Sequence, residues 1–225
     1  MLKRGGTVAI VPMRHNSERV PGKNYRPLGG IPLYRHIVAT LFATPGIDKV
    51  VIDTDSDTII DDAEQNFPGI QIVVRPESLR SGDTAMTDVL KNTLSQMNPD
   101  LVIQTHSTSP FLRSATIQSA LDLLNASEGA DSCFSVTRIQ ARLWGAGMKP
   151  LNHDPDVLLR TQDLAPIYLE NSGFYIFKPS VLFDTGRRIG IDPIMFELSS
   201  IEAIDIDIEE EFILAEAVAS SGVAL

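Results

Sequence analysis

Short apolar runs rich in β-branched residues alternate with segments of helical periodicity along most of this 225-residue chain. Such alternation predicts βαβ units and therefore a mostly parallel sheet with helices on both faces. The predicted strands cover residues 7–12, 49–53, 70–74, 100–105, 132–137 and 173–177. The predicted helices cover residues 32–43, 56–66, 84–97, 114–126 and 208–220. We expect an α/β fold, a three-layer αβα arrangement with a Rossmann-like sheet, and one domain over residues 1–225.

Local signals mark where some of these helices begin. Asp55 or Ser56 can cap the second helix and Ser114 the fourth. Asp53, Asp55 and Asp57 also resemble a cluster of metal ligands. Because they end a strand and begin a helix, capping is the favoured interpretation.

Charge and composition restrict the partners. The formal net charge is −10, which argues against nucleic acid or an anionic membrane as the main partner. No apolar run approaches membrane-spanning length, and residues 8–13 are too short for the apolar core of a signal peptide. The single cysteine excludes a disulfide framework. We therefore expect a cytoplasmic protein.

A basic loop follows the first strand. Arg14, Arg19, Lys23 and Arg26 lie close together in this acidic chain, so we expect an anionic ligand to offset their repulsion. The carboxyl ends of parallel strands are where such folds bind ligands, and this loop lies at that edge. The alternative is a solvated surface loop.

The loop carries the groups that a polyphosphate needs. Arg14 offers a planar fork for two phosphate oxygens, and Lys23 offers a point charge on a flexible stem. Ser17 and Asn24 can donate hydrogen bonds to further oxygens. The spacing differs from the GxxxxGK[ST] phosphate loop, and the segment ends in Asn where that loop needs a hydroxyl.

Two aspartates near the carboxyl terminus suit a divalent cation. In an extended segment Asp205 and Asp207 share one face, while the isoleucines that alternate with them turn to the core. These are Ile204, Ile206 and Ile208. Mg²⁺ typically takes one or two protein carboxylates and fills its shell with water and phosphate oxygens. The alternative is a capping box, in which Asp207 and Glu210 serve the following helix.

The regular alternation breaks over residues 138–168, which contain Gly-Ala-Gly, Lys-Pro, Asn-His-Asp-Pro-Asp and Ala-Pro and include the only tryptophan, Trp144. Long irregular segments in compact domains are usually functional or pack against another chain. We interpret this segment as an insertion for dimerisation or for contact with a substrate.

Several motifs together resemble the CMP-N-acetylneuraminate synthetase (acylneuraminate cytidylyltransferase) family. The first loop with its trailing Pro-Leu-Gly-Gly-Ile-Pro-Leu segment is similar to the family's opening signature. Further similarity, in the same order, comes from Arg-Pro-Glu at 75–77, Asp-Thr-Ala at 83–85, Thr-Ser-Pro at 108–110, Arg-Thr-Gln-Asp-Leu at 160–164, residues 170–177, and Ile-Asp-Ile-Asp at 204–207.

The resemblance implies a fold of the nucleotide-diphospho-sugar transferase type and an activity. In that activity the anomeric hydroxyl of an eight- or nine-carbon ulosonic acid attacks the α-phosphorus of CTP, giving a CMP-sugar and pyrophosphate. It also implies Mg²⁺ as cofactor and a homodimer.

By matching position, the resemblance also assigns residues. The implied triphosphate ligands are Arg14, Ser17, Lys23 and Asn24. Arg75, Asp83 and Thr84 would lie at the nucleotide, and Asp205 and Asp207 would bind the metal. Arg14 and Lys23, with the two aspartates, form the implied catalytic set. The implied sugar-acid residues are His106, Thr108, Ser109, Arg160 and Gln162.

The chain also departs from the family's pattern. His106 stands where the sialic acid enzymes commonly carry Gln, so the sugar pocket is expected to differ. Two other functional classes stay open at this point. A metal-dependent glycosyltransferase would use a nucleotide-sugar, and a non-catalytic nucleotide-binding relative would be expected to lose the two aspartates.

Overall fold

The computed structural model of the protein describes residues 5–222, and its elements follow the predicted alternation. The strands are β1 (Thr7–Met13), β2 (Pro27–Leu28), β3 (Ile31–Pro32), β4 (Lys49–Thr54), β5 (Gln71–Val74), β6 (Leu101–Thr105), β7 (Ser132–Ile139), β8 (Trp144–Gly145), β9 (Lys149–Pro150), β10 (Ile167–Phe177) and β11 (Pro193–Glu197). The helices are α1 (Leu33–Phe42), α2 (Asp57–Asn66), α3 (Met86–Leu94), α4 (Ser114–Ala126), α5 (Pro179–Thr185) and α6 (Glu209–Ser220).

Seven strands form the central sheet in the order β11-β7-β10-β6-β1-β4-β5. All neighbouring pairs are parallel except those of β10, which runs antiparallel to both β6 and β7. The predicted αβα fold with a mostly parallel sheet is therefore confirmed. Two small hairpins, β2 with β3 and β8 with β9, lie outside this sheet.

The alternation of side chains along β1 fills both faces of the sheet. Ala9 and Val11 point to one face and pack with α1, α2 and α4, whereas Val8 and Ile10 point to the other and pack with α3 and α5. Because both faces are covered, β1 is apolar along nearly its whole length. Its end therefore provides a rigid starting point for the basic loop.

A third apolar cluster joins the first loop to the carboxyl-terminal part of the chain. Val20 and Leu28 pack in it with Ile206 and with Phe212 of α6, and all four are fully buried. The distant segments that carry the basic residues and the two aspartates thus share one core.

The structure corrects several predicted boundaries. β7 extends to Ile139 and β10 begins at Ile167, so the irregular insertion is shorter than residues 138–168. Neither α5 nor β11 was predicted, because both are short. In addition, β11 is an edge strand with alternate residues exposed. The Pro at the start of α5 and Gly186 just after it are nevertheless typical helix boundary signals.

The capping predictions have mixed outcomes. Ser56 caps α2, since its hydroxyl accepts a hydrogen bond from the backbone of Ile59. The prediction for Ser114 is wrong, because Arg113 occupies the N-cap position of α4 and the Ser114 hydroxyl donates to the carbonyl of Ala43. No helix in the described residues is long and apolar enough to cross a membrane.

Candidate functional site

A cleft of about 600 Å³ lies beyond the carboxyl ends of β1 and β6. Most of the predicted site residues line it, namely Arg14, Ser17, Lys23, Asn24, Asp83, His106, Thr108, Asp205 and Asp207. Further lining residues include Asn16, Glu18, Arg19, Gly82, Ser107 and Ser172. The fold therefore brings the basic loop, the segment after β6 and the two aspartates together around one space.

Backbone hydrogen bonds give the basic loop a defined shape. The Lys23 amide donates to the carbonyl of Val20, and the Arg26 amide donates to the carbonyl of Gly22. Gly22 has a φ of +65°, and a Cβ there would lie 2.8 Å from Cε2 of Tyr25. Glycine is thus required both by the left-handed backbone and by the tight approach of the tyrosine ring.

Lys23 connects the basic loop with the aspartate segment. Its buried ammonium donates to the carbonyl oxygen of Ile206 at 2.7 Å and to Oδ1 of Asp207 at 3.2 Å. Arg19 approaches the other carboxylate oxygen of Asp207 at 3.0 Å. Asp207 is therefore held between two cations at the wall of the cleft.

These cations determine the ionisation of Asp207. Burial alone would raise the pKa of Asp207, but the hydrogen bond and charge of Lys23, together with the charge of Arg19, outweigh burial and lower the pKa.

The predicted capping box is wrong. Glu211, not Glu210, accepts hydrogen bonds from the backbone amides of Asp207 and Ile208, while the Asp207 carboxylate faces Lys23 and Arg19.

Asp205 lies deeper and has fewer partners. Its Oδ1 atom is buried and has no hydrogen-bond partner in the described residues. Burial and the neighbouring charge of Asp207 raise the pKa of Asp205, although Thr108 and Lys23 partly oppose this rise. A buried carboxylate oxygen without a partner is costly, so this atom is suited to binding a cation.

The donor set fits Mg²⁺. Asp205 and Asp207 could both offer hard oxygen ligands beside the basic loop, and Mg²⁺ usually needs only one or two carboxylates when phosphates share its shell. Within residues 5–222 no group of three or more His, Cys, Asp or Glu residues could hold a metal by itself. Of the isoleucines predicted to face the core beside the aspartates, Ile206 is fully buried, whereas Ile208 is exposed and does not face the core.

Two predicted phosphate ligands keep their polar groups available. Arg14 forms no ion pair and Ser17 no side-chain hydrogen bond with any part of the chain that the structure describes. A Cβ added to Gly82 would lie 3.3 Å from Nη1 of Arg14, so the loop of Gly82 passes close to this guanidinium. Arg14 is thus a partly exposed cation that can receive an anionic ligand.

Asn24 has a different environment from that of Arg14. Its side-chain amide donates to the carbonyl of Arg14 at 2.7 Å, and its Oδ1 accepts from the Ser107 hydroxyl at 2.6 Å. The buried Asn24 side chain therefore fastens the basic loop to the segment after β6. Only its second amide hydrogen is left for a ligand.

His106 also lines the cleft, after β6, and its ring contacts the buried amide of Gln104. Burial lowers the pKa of His106 to about 4, and the positive charges of Arg188 and Lys23 add to this effect while Asp207 opposes it. The imidazole is therefore neutral at physiological pH.

The remaining predicted residues do not line the cleft. Arg75 is buried in an ion pair with Asp53 at 2.6 Å, and its contact with the nucleotide stays a prediction. Arg160 forms an exposed pair with Asp163 at 2.7 Å. Three others also lie outside the cleft: Thr84, the buried Ser109 and the exposed Gln162.

Several contacts and residues at the cleft were not predicted. Arg19 belongs to the basic loop, but its pairing with Asp207 depends on a contact across the whole chain. Ser172 lines the cleft with a φ of +58°, an uncommon backbone conformation for a residue other than glycine. Gln104 and Arg188 lie behind His106, and no local sequence signal marks them.

A comparison with known proteins identifies the family of this chain. Residues 8–218 match the profile of a protein family described as cytidylyltransferase. The chain belongs to the cytidylyltransferase family. The match includes all the predicted site residues, from the basic loop to the two aspartates.

Individual relatives of this chain share a modest sequence identity with it. An N-acylneuraminate cytidylyltransferase from Oncorhynchus mykiss is 27% identical over 217 residues, covering 92% of this chain and 49% of that protein. The chain thus spans about half the length of that relative. A CMP-N,N'-diacetyllegionaminic acid synthase from Legionella pneumophila is 29% identical over 229 residues, covering 93% of this chain and 94% of that protein.

The fold is shared with a solved structure as well. A CMP:2-keto-3-deoxy-manno-octonic acid synthetase complexed with CTP aligns with a TM-score of 0.69 over 95% of this chain and 98% of that one. Its sequence identity is 17%, so this likeness concerns the fold.

Proposed function

We propose that this protein transfers CMP from CTP to the anomeric hydroxyl of an eight- or nine-carbon ulosonic acid and releases pyrophosphate. The single observation that carries the proposal is the cleft in which the cationic loop faces Asp205 and Asp207. Its relatives support it, since they are named for N-acylneuraminate and diacetyllegionaminic acid.

The reaction balances as a substitution at phosphorus. A bond forms between the anomeric oxygen and the α-phosphorus, and the bond from that phosphorus to the oxygen bridging to the β-phosphate breaks. Pyrophosphate leaves with the negative charge, and the hydroxyl proton passes to solvent or to a base in the cleft. Such transfers depend mostly on positioning and on neutralising the charge that develops on the leaving oxygens.

The cationic loop supplies this neutralisation in the proposal. Arg14 is free of ion pairs among residues 5–222 and would bind phosphate oxygens directly. Lys23 and the exposed Arg19 are balanced by Asp207 and lie at the wall of the same cleft. When Asp207 serves as a metal ligand, Lys23 and Arg19 become available to the triphosphate.

Asp205 and Asp207 are the proposed ligands for Mg²⁺. The cation would supply charge neutralisation on the phosphate oxygens and would satisfy the buried Oδ1 of Asp205. Asn24 would act mainly by fixing the loop to the segment after β6, because its amide oxygen accepts from Ser107 and one of its amide hydrogens already donates to the carbonyl of Arg14.

We propose that the sugar acid binds beside His106 and Thr108, which line the cleft after β6. A homodimer would form through the insertion, whose apolar side chains are exposed. Trp144 is 52% exposed, Leu151 62% and Leu158 88%. Exposed large apolar side chains concentrated in one segment are typical of an interaction surface when they form a patch. Arg160 and Gln162 of this insertion would then reach a sugar acid only across such an interface.

The test is to incubate the protein with CTP, Mg²⁺ and a panel of ulosonic acids and to follow pyrophosphate. The proposal expects release that depends on one of these acids. Absence of pyrophosphate together with consumption of a CMP-sugar that is supplied in a parallel incubation would instead indicate a glycosyltransferase.

A further inference from the structure

A chain of hydrogen bonds leads from the protein interior to His106. Nη1 of Arg188 lies 2.6 Å from Oε1 of Gln104, and Nε2 of Gln104 lies 2.9 Å from Nε2 of His106. The Gln104 side chain is fully buried. His106, at the end of the chain, lines the cleft.

The chemistry of these groups fixes the direction of every bond. A guanidinium can only donate, so the oxygen of the Gln104 amide must face Arg188. The amide nitrogen then donates one hydrogen to the carbonyl of Thr105 at 3.1 Å and the other to His106. Consequently Nε2 of His106 is an acceptor without a proton, and the proton of the neutral ring resides on Nδ1.

Arg188 is itself held from two sides. Its guanidinium carbon lies 3.7 Å from the centre of the Tyr175 ring, a cation–π contact with a buried aromatic residue. The hydroxyl of Tyr175 donates to Glu170, and it also lies 3.2 Å from the hydroxyl of Ser172, which lines the cleft. Arg188 forms no ion pair with the residues that the structure describes, so its donors remain directed at neutral groups.

We infer that Arg188 and Gln104 are positioning residues that hold His106 as its neutral Nδ1–H tautomer, with that N–H donating to an acceptor oxygen of the sugar acid. This inference rests on the proposed function for the identity of the ligand. Within residues 5–222, Nδ1 of His106 has no hydrogen-bond partner. The lowered pKa of His106 agrees with a ring that stays neutral across the physiological range.

The hydrogen bonds from Arg188 through Gln104 also explain why a histidine can occupy this position. A histidine free to change its tautomer or charge would offer the cleft a donor at one moment and an acceptor at another. With Nε2 committed to Gln104, His106 offers the cleft a donor only. A substrate group that can only donate is therefore disfavoured at this position.

Nitrogen NMR of the imidazole in the ligand-free protein tests the tautomer directly. The expected result is an unprotonated Nε2 and a protonated Nδ1 from pH 6 to 8. A protonated Nε2 in the wild-type protein would overturn the inference. Because this measurement needs no turnover, it remains decisive even if no ulosonic acid is a substrate, and the proposed function can fail separately.

Matched variants test the positioning roles. In Gln104→Glu a carboxylate accepts from both neighbours, so the His106 proton should move to Nε2. Arg188→Lys keeps a donor towards Gln104 and should retain the wild-type tautomer, whereas Arg188→Met should give a mixture. For Gln104→Glu we expect the KM for the sugar acid to rise about fivefold to tenfold, the effect of one lost hydrogen bond, with the KM for CTP unchanged. An unchanged KM for the sugar acid despite a reversed tautomer would refute the substrate contact.

Discussion

The ammonium of Lys23 lies 3.2 Å from the carboxylate of Asp207, although the two residues are 184 positions apart in the chain. The same ammonium holds the carbonyl of Ile206 at 2.7 Å. This contact places the cationic loop and the proposed metal ligands on adjoining walls of one cleft. The first and last parts of the chain therefore form a single site.

Substitution of Lys23 tests the cationic half of that site. Lys23→Ala should lower turnover by at least about 100-fold, because one preorganised group that stabilises developing charge is typically worth that much. The fold should remain intact by circular dichroism. Arg26→Ala is the matched control, since Arg26 belongs to the same loop but pairs with Glu209 and stacks on Phe212. Near-normal pyrophosphate release from Lys23→Ala would show that this ammonium has no catalytic role.

Substitution of either aspartate should abolish activity, but the two substitutions should change the stability of the protein in opposite directions. Asp205→Asn removes a buried charge that lacks a partner at Oδ1, so it should raise the melting temperature of the metal-free protein. Asp207→Asn removes the partner of Lys23 and Arg19 and should lower it. A change of about 1 kcal/mol in the free energy of unfolding corresponds to a shift of about 2–4 °C in a chain of this size.

The pH dependence of stability should have opposite signs at these positions. The pKa of Asp207 is lowered, so its stabilising contribution is present above the unfolded-state pKa and disappears as the pH falls through the folded-state pKa. The pKa of Asp205 is raised, so its ionisation destabilises the fold as the pH rises through the folded-state pKa. Thermal melts between pH 3 and 7 check this when the melting temperature of each asparagine variant is compared with that of the wild-type protein. Parallel profiles for the two variants would contradict the assignments.

Arg75 should affect stability rather than nucleotide affinity. Its guanidinium neutralises Asp53, which is fully buried and also accepts a hydrogen bond from Thr93 at 2.6 Å. Arg75→Met leaves that carboxylate without its cation and should cost about 3–5 kcal/mol of unfolding free energy. Chemical denaturation measures the loss. A variant of normal stability with a raised KM for CTP would return Arg75 to the nucleotide site.

The apolar insertion should support a dimer. Leu158 is 88% exposed, so Leu158→Asp should weaken self-association without affecting the monomer fold. Leu123→Asp, at an exposed apolar residue on α4, is the control and should leave association unchanged. Sedimentation at micromolar concentration distinguishes these cases. A wild-type protein that sediments as a monomer would count against the dimer.

The central sheet could be predicted from the sequence because its strands are buried on both faces and read as continuous apolar runs. The first half of β10 could not, since Tyr168, Leu169 and Glu170 pair with the end of β7 but have exposed side chains. Their exposure removes the apolar pattern. The glutamate that caps the helix after Asp207 could not be predicted either, because Glu210 and Glu211 are chemically equivalent in the sequence and only the backbone geometry selects Glu211.

The site was predictable where its chemistry lies in short segments. The basic loop and the paired aspartates both line the cleft as the sequence patterns and the family resemblance indicated. Contacts between distant elements were not predictable. Arg75 is a cation in a matching motif, yet its burial against Asp53 follows only from the pairing of β4 with β5. The hydrogen-bond chain from Arg188 to His106 likewise depends on the fold.

The most direct test of the central proposal measures both products of one reaction. The protein is incubated with CTP, Mg²⁺ and each ulosonic acid in turn, and pyrophosphate and the mass of the nucleotide product are determined together. The proposal predicts equal amounts of pyrophosphate and a CMP-sugar with at least one acid, and neither product from Asp205→Asn. A folded wild-type protein that forms no pyrophosphate with any of the acids would contradict it.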